Sequence, residues 1–302
     1  MRTIINSSHR QTSGRWAASS AAITVTAALL ALAGCSEDDG SPEVFASTGI
    51  AHSIVAEIAS DRIEVGQLVP DEASPHTYAP SARELAELAD AEEVFYFSDS
   101  LEAALPLESA KRRFEIDAHV GPLASTADGD GLDPHVWMDP NRIAAAAPAI
   151  AGELARLDPE HAAGYRRRAV AMVDALRQLD RRISAKIATI PPRRRLVVTS
   201  HDALGYYLRR YKLRFVGSPF GVAPEAEAAP RSGAELADRI ERLRLPAVFA
   251  QRGDDPELLR RISGEDVEVI DDLSIEGLGP GDRDYEQMLL STTDKIVAAL
   301  AP

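Results

Sequence analysis

DPEHAAGYRRRAVAMVDALRQLDRRISAKIATIPP, residues 158–192, is the stretch on which the reading of the fold turns. Asp158-Pro159 is a helix-opening pair and Pro191-Pro192 a stop. Between them, Tyr165, Ala169, Met172, Val173, Leu176, Leu179, Ile183, Ile187 and Ile190 recur in steps of mostly three and four, which is the stripe of an amphipathic helix. Arg167, Arg168, Asp174, Arg181 and Arg182 mark the other face. At about 1.5 Å per residue the segment spans roughly 45–50 Å, against an average helix of about 11–12 residues. A helix of that length can run the height of two lobes as a stiff connector, or lie inside one large domain.

On both sides of it, strand-like and helix-like segments alternate, which is the grammar of an α/β protein. Strands are expected at 43–48, 63–69, 93–97 and 114–116, then at 195–199, 215–216, 247–250 and 267–270. Ser81-Ala82-Arg83-Glu84 and Ser232-Gly233-Ala234-Glu235 each read as a capping box opening a helix. Asp139-Pro140 reads as an N-cap with proline at the first helical position. The expected architecture is two similar α/β lobes, residues 43–157 and 192–302, joined by one long rigid helix over 158–191.

Composition narrows the function. The chain has 302 residues, 45% hydrophobic and 26% charged, with a net charge of −14. That is globular, and it lacks the basic footprint of a nucleic-acid binder. An acidic excess suits cation handling. A single cysteine, Cys35, excludes an internal disulfide, a cysteine zinc cluster and a Cys-x-x-Cys redox pair.

Residues 1–34 read as an export signal: Arg2, Arg10 and Arg15 without an acid, then an apolar run from Ala17 to Ala33. Its ending, Leu32-Ala33-Gly34-Cys35, resembles a bacterial lipobox, which implies a lipidated Cys35 at the mature N-terminus. Loss of residues 1–34 takes the charge from −14 to −17. Residues 35–42 then form a short acidic tether.

Three of the seven histidines share a context. His76 (Pro75-His76-Thr77-Tyr78-Ala79-Pro80) follows the strand ending at Val69, and His135 (Asp133-Pro134-His135-Val136-Trp137) precedes a helix cap. His201 directly follows the strand 196–200. Pro-His-x-aromatic thus occurs twice, and proline helps to present each ring from a rigid loop. Asp272, with Asp271 as its competitor, follows the last strand by the same logic. Loops at the carboxyl ends of strands are where open α/β sheets place ligands. Three imidazoles and a carboxylate suit a divalent transition metal. The intervals of 59, 66 and 71 residues exclude a local zinc finger or a His-Glu-x-x-His helix. Four separate loops must converge, in the cleft between the lobes. His52 and His161 lack this context, and His119 is at most an accessory contact. Tyr78 and Trp137 read as loop packing, and Asp202 as a helix cap or a partner orienting an imidazole.

Taken together, Pro75-His76-x-Tyr78-x-Pro80, Asp133-Pro134-His135-Val136-Trp137-Met138-Asp139-Pro140, Ser200-His201-Asp202-Ala203-Leu204-Gly205-Tyr206 and the Asp272 region leading to Gly281-Asp282 and Tyr285 resemble the zinc/manganese solute-binding lipoproteins of ABC transporters (cluster A-I, or cluster 9). The resemblance covers the mature chain. It implies two α/β lobes around a rigid linker helix, with metal held by His76, His135, His201 and Asp272. Two features bear on the metal. The loop 121–131 has no histidine, whereas many zinc-specific members carry a histidine-rich loop there. Manganese members often place glutamate where this chain has His201, and the extra nitrogen favours zinc.

The expected function is therefore a monomeric, lipid-anchored extracytoplasmic receptor. It captures Zn(II), with Mn(II) as the alternative, and hands it to an ABC permease and its ATPase. An Fe(II) receptor on the same fold and a metal-stabilised surface adhesin are the other readings. Catalysis is not expected, because four protein ligands leave no open position for water.

Overall fold

The computed structural model describes residues 44–121, 123–124, 132–220 and 230–302. The expected signal segment, Cys35 and the tether lie outside these residues, as does most of the loop 121–131.

The first half runs β1 (Val44–Thr48), α1 (Gly49–Ala59), β2 (Val65–Val69), α2 (Ala82–Asp90), β3 (Glu93–Tyr96) and β4 (Arg113–Glu115). Its strands are parallel, in the order β2-β1-β3-β4. A short antiparallel pair, β5 (Leu123–Ala124) and β6 (Leu132–Asp133), leads through a 3-10 turn at Val136–Met138 into α3 (Pro140–Leu157). Beyond α4 (Ala162–Ala188), the second half runs β7 (Leu196–Val198), α5 (Gly205–Tyr211), β8 (Arg214–Gly217), α6 (Pro230–Leu243), β9 (Ala247–Gln251), α7 (Glu257–Ser263), β10 (Glu268–Leu273) and α8 (Tyr285–Leu300). β7 pairs with β8 and β9 with β10, all parallel, and a bridge from Thr199 to Phe249 joins the two pairs. The resulting order, β8-β7-β9-β10, repeats that of the first half. Parallel strands need crossover connections, and helices supply most of them. The expected α/β alternation is the observed one.

The central strands of each sheet are buried on both faces, as is usual for parallel sheets. The period-2 alternation divides the side chains between two layers. Val44, Ala46, Phe95, Val197, Ala247 and Phe249 face a core shared with α1, α3, α4 and α8. Phe45, Val94 and Tyr96 face a cluster of the first half only. Leu196, Val198, Val248 and Ala250 face its counterpart in the second half.

The segment 158–191 is not one uninterrupted helix. Asp158 ends α3, a 3-10 turn covers Pro159–His161, and α4 follows with 27 residues, about 40 Å long. The Asp158 carboxylate accepts from the Tyr165 hydroxyl and His161 Nδ1, both at 2.7 Å. It is thereby committed to side chains rather than to capping α4. The apolar stripe from Tyr165 to Ile187 is buried as expected. α4 reaches both halves. Arg168 donates to the Ile58 and Ala59 carbonyls at the end of α1 (2.6 and 3.1 Å), and Asp180 receives a two-pronged contact from Arg210 of α5 (2.8 and 2.6 Å). Of the two expected capping boxes, Ser81 with Glu84 forms. α6 starts at Pro230, so Ser232 lies inside the helix rather than at its cap.

The loop after β3 is fixed by a buried carboxylate. Glu102 accepts from the Ser47 hydroxyl (2.6 Å) and from the Phe97 and Ser98 backbone N–H groups (3.0 and 2.9 Å). Replacing it with alanine strands three donors. The expected cost of Glu102→Ala is about 2–4 kcal/mol, measured by urea unfolding; a change under about 0.5 kcal/mol would contradict this account of the loop.

Candidate metal centre

The site is built where strands end. His76 sits in the loop after β2, in a turn where the Thr77 and Tyr78 N–H groups donate to the Ser74 carbonyl (3.3 and 3.0 Å). His135 follows β6 and opens the 3-10 turn before α3. His201 lies three residues past β7, and Glu276 three residues past β10. The four side chains meet around one point. Glu276 Oε1 lies 3.3 Å from His76 Nε2, 3.4 Å from His135 Nε2 and 3.0 Å from His201 Nε2. The ring centroids of His76 and His201 lie 6.0 and 5.8 Å from that of His135. Side-chain exposure is 8%, 0%, 1% and 2% for His76, His135, His201 and Glu276. One ligand atom each from His76, His135 and Glu276 all lie within 4.8 Å of one another.

The three expected histidines are thus brought together, and Asp272 is not. The sequence pattern ended the last strand at Ile270, but β10 continues through Asp271 and Asp272 to Leu273, with a register shift between Ile270 and Leu273. Both aspartates therefore lie in a strand on the surface. Asp271 pairs with Arg260 at 2.6 Å, and Asp272 pairs with Lys295 at 2.9 Å. The carboxylate in the loop beyond the strand is Glu276, which the sequence reading passed over. His119 stacks on Phe114 (4.9 Å), His161 pairs with Asp158, and His52 lies on α1. The Tyr78 hydroxyl donates to Glu84 at 2.8 Å, in keeping with a packing role. α5 begins at Gly205 with Leu204 at its cap position, so Asp202 is not its cap.

A second ring of groups aims these side chains. His135 Nδ1–H donates to Asp133 Oδ1 (2.8 Å). His201 Nδ1–H donates to Asp254 Oδ2 (3.3 Å), which also accepts from Ser200 Oγ (2.5 Å). Each carboxylate fixes the tautomer that turns Nε2 inward. Gln251 Nε2 donates to the second Glu276 oxygen, Oε2, at 3.0 Å. Trp137 Nε1 donates to the Ile275 carbonyl (2.7 Å), clipping the His135 loop to the Glu276 loop, and the Tyr285 hydroxyl donates to the Trp137 carbonyl. The Tyr206 hydroxyl donates to the Asp133 carbonyl at 3.0 Å. At the mouth, Arg252 donates to the Asp71 and Leu278 carbonyls (2.9 and 2.6 Å), and the Leu278 N–H donates to Asp71 Oδ1 (3.0 Å). Gly277 is needed there, because a Cβ would lie 2.3 Å from the Asp71 carbonyl oxygen.

His76 Nε2 is buried and makes no hydrogen bond of acceptable geometry, although Glu276 is close. Such an atom calls for a partner. The electrostatics agree. Burial would push the Glu276 carboxyl up, but its three imidazole contacts outweigh that and hold it well below the usual range. Burial lowers the His201 and His135 imidazoles, but bonds to Asp254, Asp133 and Glu276 outweigh it, raising both and taking His201 to about 9. Without metal, His201 is therefore protonated at neutral pH. A divalent cation placed among the Nε2 atoms would have to displace the proton on His201.

The comparisons with known proteins point the same way. Residues 44–299 match the family model of the zinc-uptake complex component A, periplasmic (ZnuA). The chain belongs to this family. ZnuA-family proteins are solute-binding receptors of ABC transporters, not enzymes. Among its relatives, the manganese-binding lipoprotein MntA of Halalkalibacterium halodurans is 28% identical, covering 89% of this chain and 91% of the relative. The zinc-binding protein TroA of Treponema pallidum is also 28% identical, over 87% and 90%. The solved periplasmic zinc-binding TroA superposes with a TM-score of 0.79 at 28% identity, covering 87% of this chain and 100% of that one. The laminin-binding Lmb of Streptococcus agalactiae, described as a bifunctional protein with adhesin and metal-transporting activity, gives 0.76 at 26% identity, over 85% and 98%. No helix among the described residues is long and apolar enough to cross a membrane.

Because metal must displace a proton from an imidazole that titrates near 9, affinity should fall as the pH drops below that value, by about tenfold per pH unit for each proton displaced. Chelator competition at pH 6, 7 and 8, with calorimetry in two buffers of different ionisation enthalpy, measures both quantities. A pH-independent affinity with no proton release would contradict the site.

Proposed function

We propose that this chain is the extracytoplasmic zinc-capturing receptor of an ABC importer, with His76, His135, His201 and Glu276 as the metal ligands. Family membership carries the general role of metal-binding receptor, working with a permease and its ATPase. The observation that carries the finer reading is the donor set, three imidazole nitrogens and one carboxylate oxygen in a nearly dry volume. Tetrahedral zinc with ligands at about 2.0–2.1 Å has ligand–ligand edges of about 3.3 Å. Three of the six edges, those from Glu276 Oε1 to the Nε2 atoms, are 3.3, 3.4 and 3.0 Å, and His76, His135 and Glu276 each present an atom within 4.8 Å of the other two. Nitrogen-rich sites favour zinc over the harder manganese ion. Manganese is the metal named for several relatives, including MntA.

The two halves act as lobes on either side of the ion, with α4 as the stiff connector. The chain works as a monomer tethered through a lipid on Cys35. Release then proceeds by movement of the ligand loops or a small lobe shift at the permease.

The decisive experiment separates Glu276 from Asp272. Protein purified without added metal should carry close to one equivalent of zinc, and should prefer Zn(II) to Mn(II) in competition. Glu276→Ala and His201→Ala should lose at least about tenfold in zinc affinity, while Asp272→Ala should match the wild type. Loss of zinc in Asp272→Ala with retention in Glu276→Ala would reverse the assignment.

A further inference from the structure

Three imidazoles come from three loops, but the fourth donor is a glutamate, which can offer a metal one oxygen or two. One residue faces the second of these oxygens. Gln251, the last residue of β9, is 7% exposed. Its side-chain amide donates to Glu276 Oε2 at 3.0 Å, while Glu276 Oε1 faces all three imidazoles. The amide cannot be turned over, because its oxygen would then face a carboxylate oxygen. That oxygen, Gln251 Oε1, is itself buried without a hydrogen-bond partner. The backbone fixes the residue further. Gln251 N–H donates to Ser200 Oγ (3.3 Å), Ser200 donates to Asp254, and Asp254 accepts from His201. A single position therefore ties the orientation of the third imidazole to that of the carboxylate.

Resting on the metal-site reading above, we propose that Gln251 is a positioning residue that sets metal preference by holding Glu276 to one ligating oxygen. With Oε2 occupied by the amide, the protein offers four donors, the number a tetrahedral ion needs. Manganese and other hard ions favour oxygen donors and octahedral geometry. Freed from Gln251, Oε2 is a buried carboxylate oxygen without a donor. The metal is the cation within reach, so the carboxylate turns to chelate it through both oxygens. Coordination then rises to five, with one more hard ligand.

The test uses Co(II) as a spectroscopic probe in wild-type protein and in Gln251→Leu and Gln251→Met, with Zn(II)/Mn(II) competition on the same samples. Wild type should give the intense visible absorption of four-coordinate cobalt. Both variants should give the weaker bands of five-coordination, and their preference for zinc over manganese should fall by roughly tenfold or more, the scale of other residues that orient ligands. A folded variant whose cobalt spectrum and metal preference match the wild type overturns the proposal. So does a wild-type cobalt spectrum that is already five-coordinate, whether or not the variants fold. If wild-type protein binds no cobalt or zinc, the reading of the site has failed, not the role of Gln251.

Discussion

Three imidazoles from three loops crowd one oxygen of a carboxylate from a fourth, in a volume that water hardly enters, and the surrounding structure makes that tolerable. Burying an imidazole and its charge costs several kcal/mol when uncompensated. Asp133 braces His135, and Asp254 braces His201. Glu276 receives all three rings on one oxygen and Gln251 on the other. His76 alone has no carboxylate behind it among the described contacts, and it is the most exposed of the three imidazoles. The cluster is thus graded, from a rigidly braced pair to an imidazole held mainly by its own loop.

Fold and centre were legible to different depths. The strand–helix alternation could be read because apolar periods of two and of three to four are imposed by burial, and burial decides these elements. α4 is the clearest case: Tyr165, Met172, Leu176, Leu179, Ile183 and Ile187 are all buried. Its start was misplaced, because Asp158 resembles a cap but spends its carboxylate on Tyr165 and His161. The histidines were legible because Pro-His-x-aromatic repeats and because each lies after a strand. Asp272 misled because strand length is set by pairing, and pairing depends on the neighbouring strand. β9 carries β10 on past Ile270 to Leu273, and lysine and arginine partners for both aspartates come from other elements. Glu276 stands six residues past Ile270, with only Gly277 beside it as a local hint of close packing. Asp133 was visible within its motif, but its role was not. Gln251 and Asp254 carry no local pattern, since their partners lie across the fold.

The shared core bears on how the halves behave. Inward residues of both sheets, together with α1, α3, α4 and α8, bury into one continuous apolar mass, while each sheet keeps only a small private cluster on its outer face. At about 25 cal/mol per Å² of apolar surface, parting the halves widely would expose much of what stabilises them. The mouth is also stitched, with Arg252 and Leu278 holding Asp71 against Gly277. Small displacements of the loops above this core are far cheaper.

That continuity also governs denaturation. Because Val44 and Phe249, about two hundred residues apart in the chain, belong to the same oily interior, neither sheet can melt and leave its neighbour intact. Calorimetry should register a single cooperative endotherm, its enthalpy scaled to both halves together instead of to one.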